Sequence, residues 1–189
     1  MTRPLKILAL CGSLRRASIN AALLRAAARL ARPEAEVSVP DWLGRLPLFD
    51  PDLAHDLPLA VQALHLSVAN ADALLVASPE YAHGVSGTIK NALDWLVSFE
   101  PFIHKPVAVI NASPRAHHAD EALRETLRTM SAGLVGEHSL RLPLLGGGLD
   151  EDGMAADPLV DATVAQAIAA LRAEIARQQR DGVPFFPLR

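Results

Sequence analysis

Apolar positions follow two alternating rhythms along this chain. Short apolar runs at Leu5 to Cys11, Ala73 to Ala77 and Pro106 to Ala112 read as buried strands of a parallel sheet. Each gives way to a stretch in which apolar residues recur at helical spacing: Ile19, Leu23, Ala26 and Leu30 after the first, Ile89, Leu93 and Leu96 after the second, Leu123, Leu127 and Met130 after the third. Arg25, Arg29 and Arg32 fall on the opposite face of the first helix. Glu36 to Val39 alternates and stops at Pro40, which predicts a further strand, and Pro58 opens a helix with Val61, Leu64 and Val68 inward. A last strand is expected through Gly136 to Leu142, with a Gly146-Gly147-Gly148 loop behind it. Asp157-Pro158 then supplies an N-cap and first helical residue for a terminal helix that buries Val160, Val164, Ile168, Leu171 and Ile175 and ends near Gly182. Strictly alternating strands and helices predict an α/β fold, a doubly wound five-stranded parallel sheet with helices on both faces, as a single domain over residues 1–189.

Composition narrows the function. A chain of 189 residues buries enough surface to fold without a disulfide or metal staple. Its one cysteine excludes a disulfide framework and a cysteine-cluster metal site. A net charge of −3 without any basic block gives no electrostatic case for nucleic acid or an anionic membrane. No apolar run approaches the roughly 20 residues of a membrane span, and the start lacks a signal-peptide core, so a cytoplasmic location is expected.

In an open α/β sheet, ligands bind outside the carboxyl ends of the strands, so the loops that leave Cys11, Ala77 and Ile110 are the places to look for chemistry. The middle one, Ser78-Pro79-Glu80-Tyr81-Ala82-His83-Gly84-Val85-Ser86-Gly87, holds a stiffening proline, two glycines that permit close backbone approach and an aromatic ring. The first, Gly12 to Asn20, ends at a helix amino terminus, where free N–H groups and the helix dipole favour an anion. Ser13, Arg15, Ser18 and Asn20 add donors suited to a phosphate monoester, although Ser18 or Asn20 taken singly reads equally well as a helix cap. Known phosphate loops fail on spacing. Gly12 is the sole glycine of this first loop, so the dinucleotide fingerprint is absent, and no Walker lysine follows. A phosphatase loop built on Cys11 needs arginine at position 17, which is Ala17. Cys11 therefore reads as a small buried residue. The third loop, Asn111-Ala112-Ser113-Pro114-Arg115, should lie beside the first two.

Two of these segments carry a family resemblance. Ser78-Pro79-Glu80-Tyr81, with Gly87-Thr88-Ile89-Lys90-Asn91-Ala92-Leu93-Asp94-Trp95 behind it, resembles the central motif of the NADPH-dependent FMN reductases, and Gly12 to Asn20 resembles their FMN-phosphate loop. Ala82, Gly84 and Ser86 stand where the family's commonest wording has Asn, Ser and Pro, and Arg115-Ala116-His117-His118 replaces glycines after Ser113. The resemblance implies a flavodoxin-like fold. It implies FMN held by its phosphate at Ser13, Arg15, Ser18 and Asn20, with Pro79, Glu80, Tyr81, Ala82, His83 and Gly84 along the ring and Ser113 at its border. NADPH or NADH is the implied hydride donor and a flavin, quinone, azo compound or metal oxyanion the acceptor. A homodimer or homotetramer is implied as well, with the Leu46 to Leu53 loop near the interface.

Other residues have duller readings. Adjacent side chains do not share a helix face, so His117-His118 is not expected to bind metal. His83 either lines the acceptor pocket or faces solvent, and Arg16 and Arg115 either meet dinucleotide phosphates or are surface charges. Two other functions compete with the reductase. One is a non-catalytic FMN-binding electron carrier, against which the Lys90 to Trp95 helix and the modest charge argue. The other is a phosphate-ester hydrolase using Cys11, set back by the misplaced arginine.

Overall fold

The computed structural model describes residues 3–113, 116–136, 140–142 and 149–184. Its regular elements are β1 (Leu5–Cys11), α1 (Ile19–Leu30), β2 (Ala35–Ser38), α2 (Leu59–Asn70), β3 (Ala73–Ala77), β4 (Glu80–Tyr81), β5 (Gly84–Val85), α3 (Gly87–Asp94), β6 (Pro106–Asn111), α4 (His118–Thr129), β7 (Gly133–Leu134), β8 (Leu140–Arg141), α5 (Glu151–Ala155) and α6 (Pro158–Arg180). The sheet runs β2-β1-β3-β6-β7, with β8 also bonded to β6, and every pairing in it is parallel. This is the flavodoxin-like order, which places a crevice at the ends of β1 and β3, where the winding reverses.

Strand alternation divides the core in two. Ile7, Ala9, Cys11, Leu75 and Ile110 face α1 and α6, while Leu8, Leu10, Leu74, Val76 and Val109 face α2, α3 and α4. Asp157 caps α6 as its sequence predicts, accepting from the amides of Leu159 and Val160 at 2.8 and 3.2 Å. The basic face of α1 is exposed, and two of its arginines are paired. Arg25 reaches Glu151 at 2.7 Å and Arg29 reaches Asp152 at 2.5 Å, both at the start of the short helix α5. Among the described residues, no helix is long and apolar enough to cross a membrane.

Two expectations need correction. The fifth strand position is filled by two short pieces, β7 against Pro106 and Val107 and β8 against Ile110 and Asn111. Gly136, expected inside that strand, adopts φ 75° between them, which extended backbone does not allow. The glycine run 146–148 lies outside the described residues. The stretch after β3, expected as an irregular strand-to-helix loop, contains an antiparallel hairpin in which β4 and β5 pair, Glu80 opposite Val85 and Tyr81 opposite Gly84.

At the far end of the sheet, Lys105 is 3% exposed and its Nζ donates to the Ala71 carbonyl at 2.8 Å. Burial pulls its ammonium down to about 8 from 10.5, against the opposing pull of Asp72. Between those two values the unfolded chain holds a proton that the folded chain has released, so this residue's contribution to stability rises with pH. The stability of the parent protein relative to Lys105→Met should climb by roughly 1 kcal/mol per pH unit across that window in denaturant titrations. A constant difference would show that the lysine keeps its ordinary affinity for protons.

Candidate active site

Three strand-end loops close on one cleft of about 340 Å³. Ser13, Arg15, Ala17 and the amino end of α1 form one wall, Ser78 to Tyr81 a second, and Asn111 to Ser113 with Ala116 a third. At the first wall, Ser18 is buried and caps α1, its Oγ accepting from the Ala21 amide at 3.2 Å. Ser13 Oγ accepts from the Arg15 amide at 3.4 Å, which turns this loop back on itself. The wall thus presents hydroxyls, an amide, a guanidinium and the positive end of a helix.

The first two walls touch because Gly12 has no side chain. Its amide donates to the Ala77 carbonyl at 2.8 Å, extending the β1–β3 ladder by a residue. A Cβ there would lie 2.4 Å from Ser78 Oγ, 2.8 Å from Ser78 Cβ and 2.6 Å from Ser86 Oγ. Ser78 Oγ in turn donates to Ser86 Oγ at 3.2 Å, joining the two ends of the hairpin, and Ser86 caps α3 by accepting from the Ile89 amide at 3.4 Å.

Glu80 lines the cleft, yet its carboxylate is engaged elsewhere. Oε2 accepts from the Ala119 amide and Oε1 meets His83 Nδ1, both at 2.9 Å. The amide first and His83 second hold this carboxyl below the ordinary glutamate range. An anion in the cleft is therefore not facing an uncompensated carboxylate. The third wall is shaped by Asn111, whose Oδ1 accepts from the Ser113 amide at 2.9 Å while Nδ2 donates to the Ala116 carbonyl at 3.0 Å.

Of the residues the sequence nominated, Ser13, Arg15, Ser18, Asn20, Pro79, Glu80, Tyr81 and Ser113 line this cleft. Ala82, His83 and Gly84 do not. They form the hairpin tip, where Ala82 and His83 take φ 48° and 60° in a two-residue turn. Within the protein, a Cβ on Gly84 would meet only the Tyr81 carbonyl, at 3.5 Å, whereas the tight contact between loops is at Gly12. Arg115 lies outside the described residues. Cys11 is buried beneath the first wall, its thiol donating to the Ser13 carbonyl at 3.4 Å, and burial pushes that thiol up, away from the thiolate a hydrolase needs.

Sequence reasoning places Ser78 and Asn111 in the strand-end loops without singling them out as site residues, and both line the cleft. Asn111 had a signal, being the polar end of an otherwise apolar run. The Asn and Trp of the α3 segment also have a defined task. Asn91 accepts from the Phe49 amide at 2.8 Å, and Asn91 and Trp95 Nε1 both donate to the Pro47 carbonyl at 2.9 Å. Trp95 meets Phe49 edge-on at 5.1 Å, so α3 pins the proline-punctuated loop in place.

Comparison with known proteins identifies a family and related folds. Residues 5–143 match the model of the NADPH-dependent FMN reductase family. An NAD(P)H-dependent FMN reductase of Pseudomonas aeruginosa is 31% identical over 183 residues, covering 94% of this chain and 98% of that protein. A quinone reductase of Escherichia coli is 33% identical over 117 residues, covering 60% of this chain and 62% of its own length. Among solved structures, a flavoenzyme NAD(P)H:(acceptor) oxidoreductase from Paracoccus denitrificans superposes with a TM-score of 0.80 at 26% identity, over 90% of this chain and 98% of that one.

Proposed function

The chain belongs to the NADPH-dependent FMN reductase family, and from that membership we propose that its three-loop cleft holds FMN and turns over NAD(P)H with a small, flat acceptor of the quinone or flavin type. The observation that carries this reading is the convergence of an anion-suited loop and a backbone-lined wall on one cleft. The donor set fits FMN. Ser13, Arg15, Ser18, Asn20 and the amino end of α1 suit its phosphate, and Pro79 to Tyr81 with Ala112, Ser113 and Ala116 offer the flat, mixed wall that suits a flavin ring.

FMN, when bound, supplies the two-electron chemistry that links nicotinamide to acceptor. The protein's share is position and charge. The first loop neutralises the phosphate, and the paired Glu80 withholds its charge from the cleft. The hairpin places Tyr81, which is 57% exposed, at the mouth. No acid–base pair is needed for hydride transfer itself.

A homodimer or homotetramer belongs to the same proposal. Leu48, Phe49 and Tyr81 stand exposed on the loops after β2 and β3, at the cleft end of the sheet, where a second subunit would cover them. The reading takes residues 1–189 as one flavodoxin-like domain, in keeping with two hydrophobic clusters packed on opposite faces of one sheet. It places the protein in the cytoplasm, where reduced nicotinamide is supplied.

The test is an absorbance titration with FMN, followed by anaerobic NADPH and then NADH. Perturbed flavin bands that bleach with nucleotide and recover with a quinone are expected. Bands that stay oxidised with both nucleotides would make the protein a carrier reduced by a partner, and an unperturbed flavin spectrum would remove the cofactor from the account.

A further inference from the structure

We propose that Glu80 is a positioning residue that fastens the Tyr81 hairpin to the amino end of α4, so that α4 sets the wall of the cleft. The consequence for cofactor affinity rests on reading the cleft as the flavin site. The fastening itself does not.

The hairpin cannot hold itself. It has two residues per strand, and a two-stranded ribbon of that size has no independent stability in water. Its turn puts two non-glycine residues, Ala82 and His83, in the left-handed region, which adds strain. The Ser78–Ser86 hydrogen bond closes its base, leaving the tip to be held from outside.

Helix α4 has the complementary lack. His117 occupies its N-cap position with helical backbone angles, φ −86° and ψ −47°, and makes no capping bond. The His117 ring is turned instead to Arg141, 3.1 Å from Nδ1 to Nη1. Early helix amides need an outside acceptor, and the helix dipole favours a negative one. Glu80 meets that need from 39 positions upstream by accepting the Ala119 amide. Its second oxygen holds His83 across the turn, where the His83 and His118 rings meet edge-on at 4.4 Å. One carboxylate thus caps a helix and clamps a turn. With both oxygens engaged, Glu80 shapes the cleft without serving as a catalytic residue.

Three variants test this: Glu80→Ala, Glu80→Gln and Ala119→Pro. The glutamine amide oxygen can still accept the Ala119 amide, while proline deletes that donor at a first-turn position where helices tolerate it. Hydrogen exchange over residues 80–85 is measured on FMN-free protein, and FMN dissociation constants are measured separately. Glu80→Ala and Ala119→Pro should both speed exchange in the hairpin and weaken FMN roughly tenfold, and Glu80→Gln should stay within roughly threefold of the parent. Unchanged exchange in Glu80→Ala overturns the proposal. A Glu80→Gln loss of affinity as large as that of Glu80→Ala also overturns it, because the charge would then be acting on the ligand directly. Faster exchange in a protein that binds no FMN would uphold the fastening and sink the flavin reading instead.

Discussion

Gly12→Ala is expected to weaken FMN binding by roughly ten- to a hundredfold, the equivalent of the 1–3 kcal/mol that overpacking a tight contact costs. The added Cβ would stand 2.8 Å from Ser78 Cβ, and that atom is fixed to the backbone, so no side-chain rotation relieves the contact. The first two walls of the cleft must separate, taking the phosphate end of the site away from the ring end. The effect should be specific in a way that general destabilisation is not. Ser78→Gly removes both Ser78 atoms that crowd the new methyl, so the double variant should recover a good part of the lost affinity. Fluorescence titration of FMN against the parent, the single and the double variants measures this. Full affinity in Gly12→Ala would mean that the two loops do not act on one ligand.

Arg15→Ala is expected to cost roughly 1.5–3 kcal/mol of FMN binding, as a charge-assisted contact to a phosphate does. Arg15 lines the cleft beside Ser13 and the amino end of α1, so its guanidinium adds to an anion site already favoured by the helix. Arg15→Lys should fall between parent and alanine, because lysine keeps the charge and loses the bidentate fork. Riboflavin, which lacks the phosphate, should bind all three proteins alike. Calorimetry with both flavins reads this directly, and an equal loss for the two would place Arg15 against the ring instead of the phosphate.

Features written locally in the chain were legible. The fully buried β3, the Asp157-Pro158 start of α6 and the capping Ser18 all follow from neighbouring residues, and the structure reproduces them. Features made by tertiary contact were not. The β4–β5 hairpin has too few residues for an alternating pattern, and its Ala82-His83 turn lacks the Asn-Gly signature that marks such turns. The five-residue α5 has no room for helical periodicity, and its contacts are tertiary: Met154 is buried in the core, and Glu151 and Asp152 pair with Arg25 and Arg29, more than 120 residues away. The packing reason for glycine at position 12 is not legible locally, because the residues that crowd it, Ser78 and Ser86, lie far along the chain. The hydrogen bond from the Ala119 amide to Glu80 is likewise invisible in the sequence, because 39 positions separate the two residues. The motif reading therefore located the cleft, and only the packing shows how its walls are held together.

The central claim is that the Gly12 to Asn20 loop receives a flavin phosphate. Titrating the parent protein with FMN and with riboflavin under identical conditions tests it most directly. The account predicts FMN binding tighter than riboflavin by roughly thirtyfold or more, the yield of one or two charge-assisted phosphate contacts. Equal affinities would contradict it, because the loop would then be contributing nothing to phosphate binding.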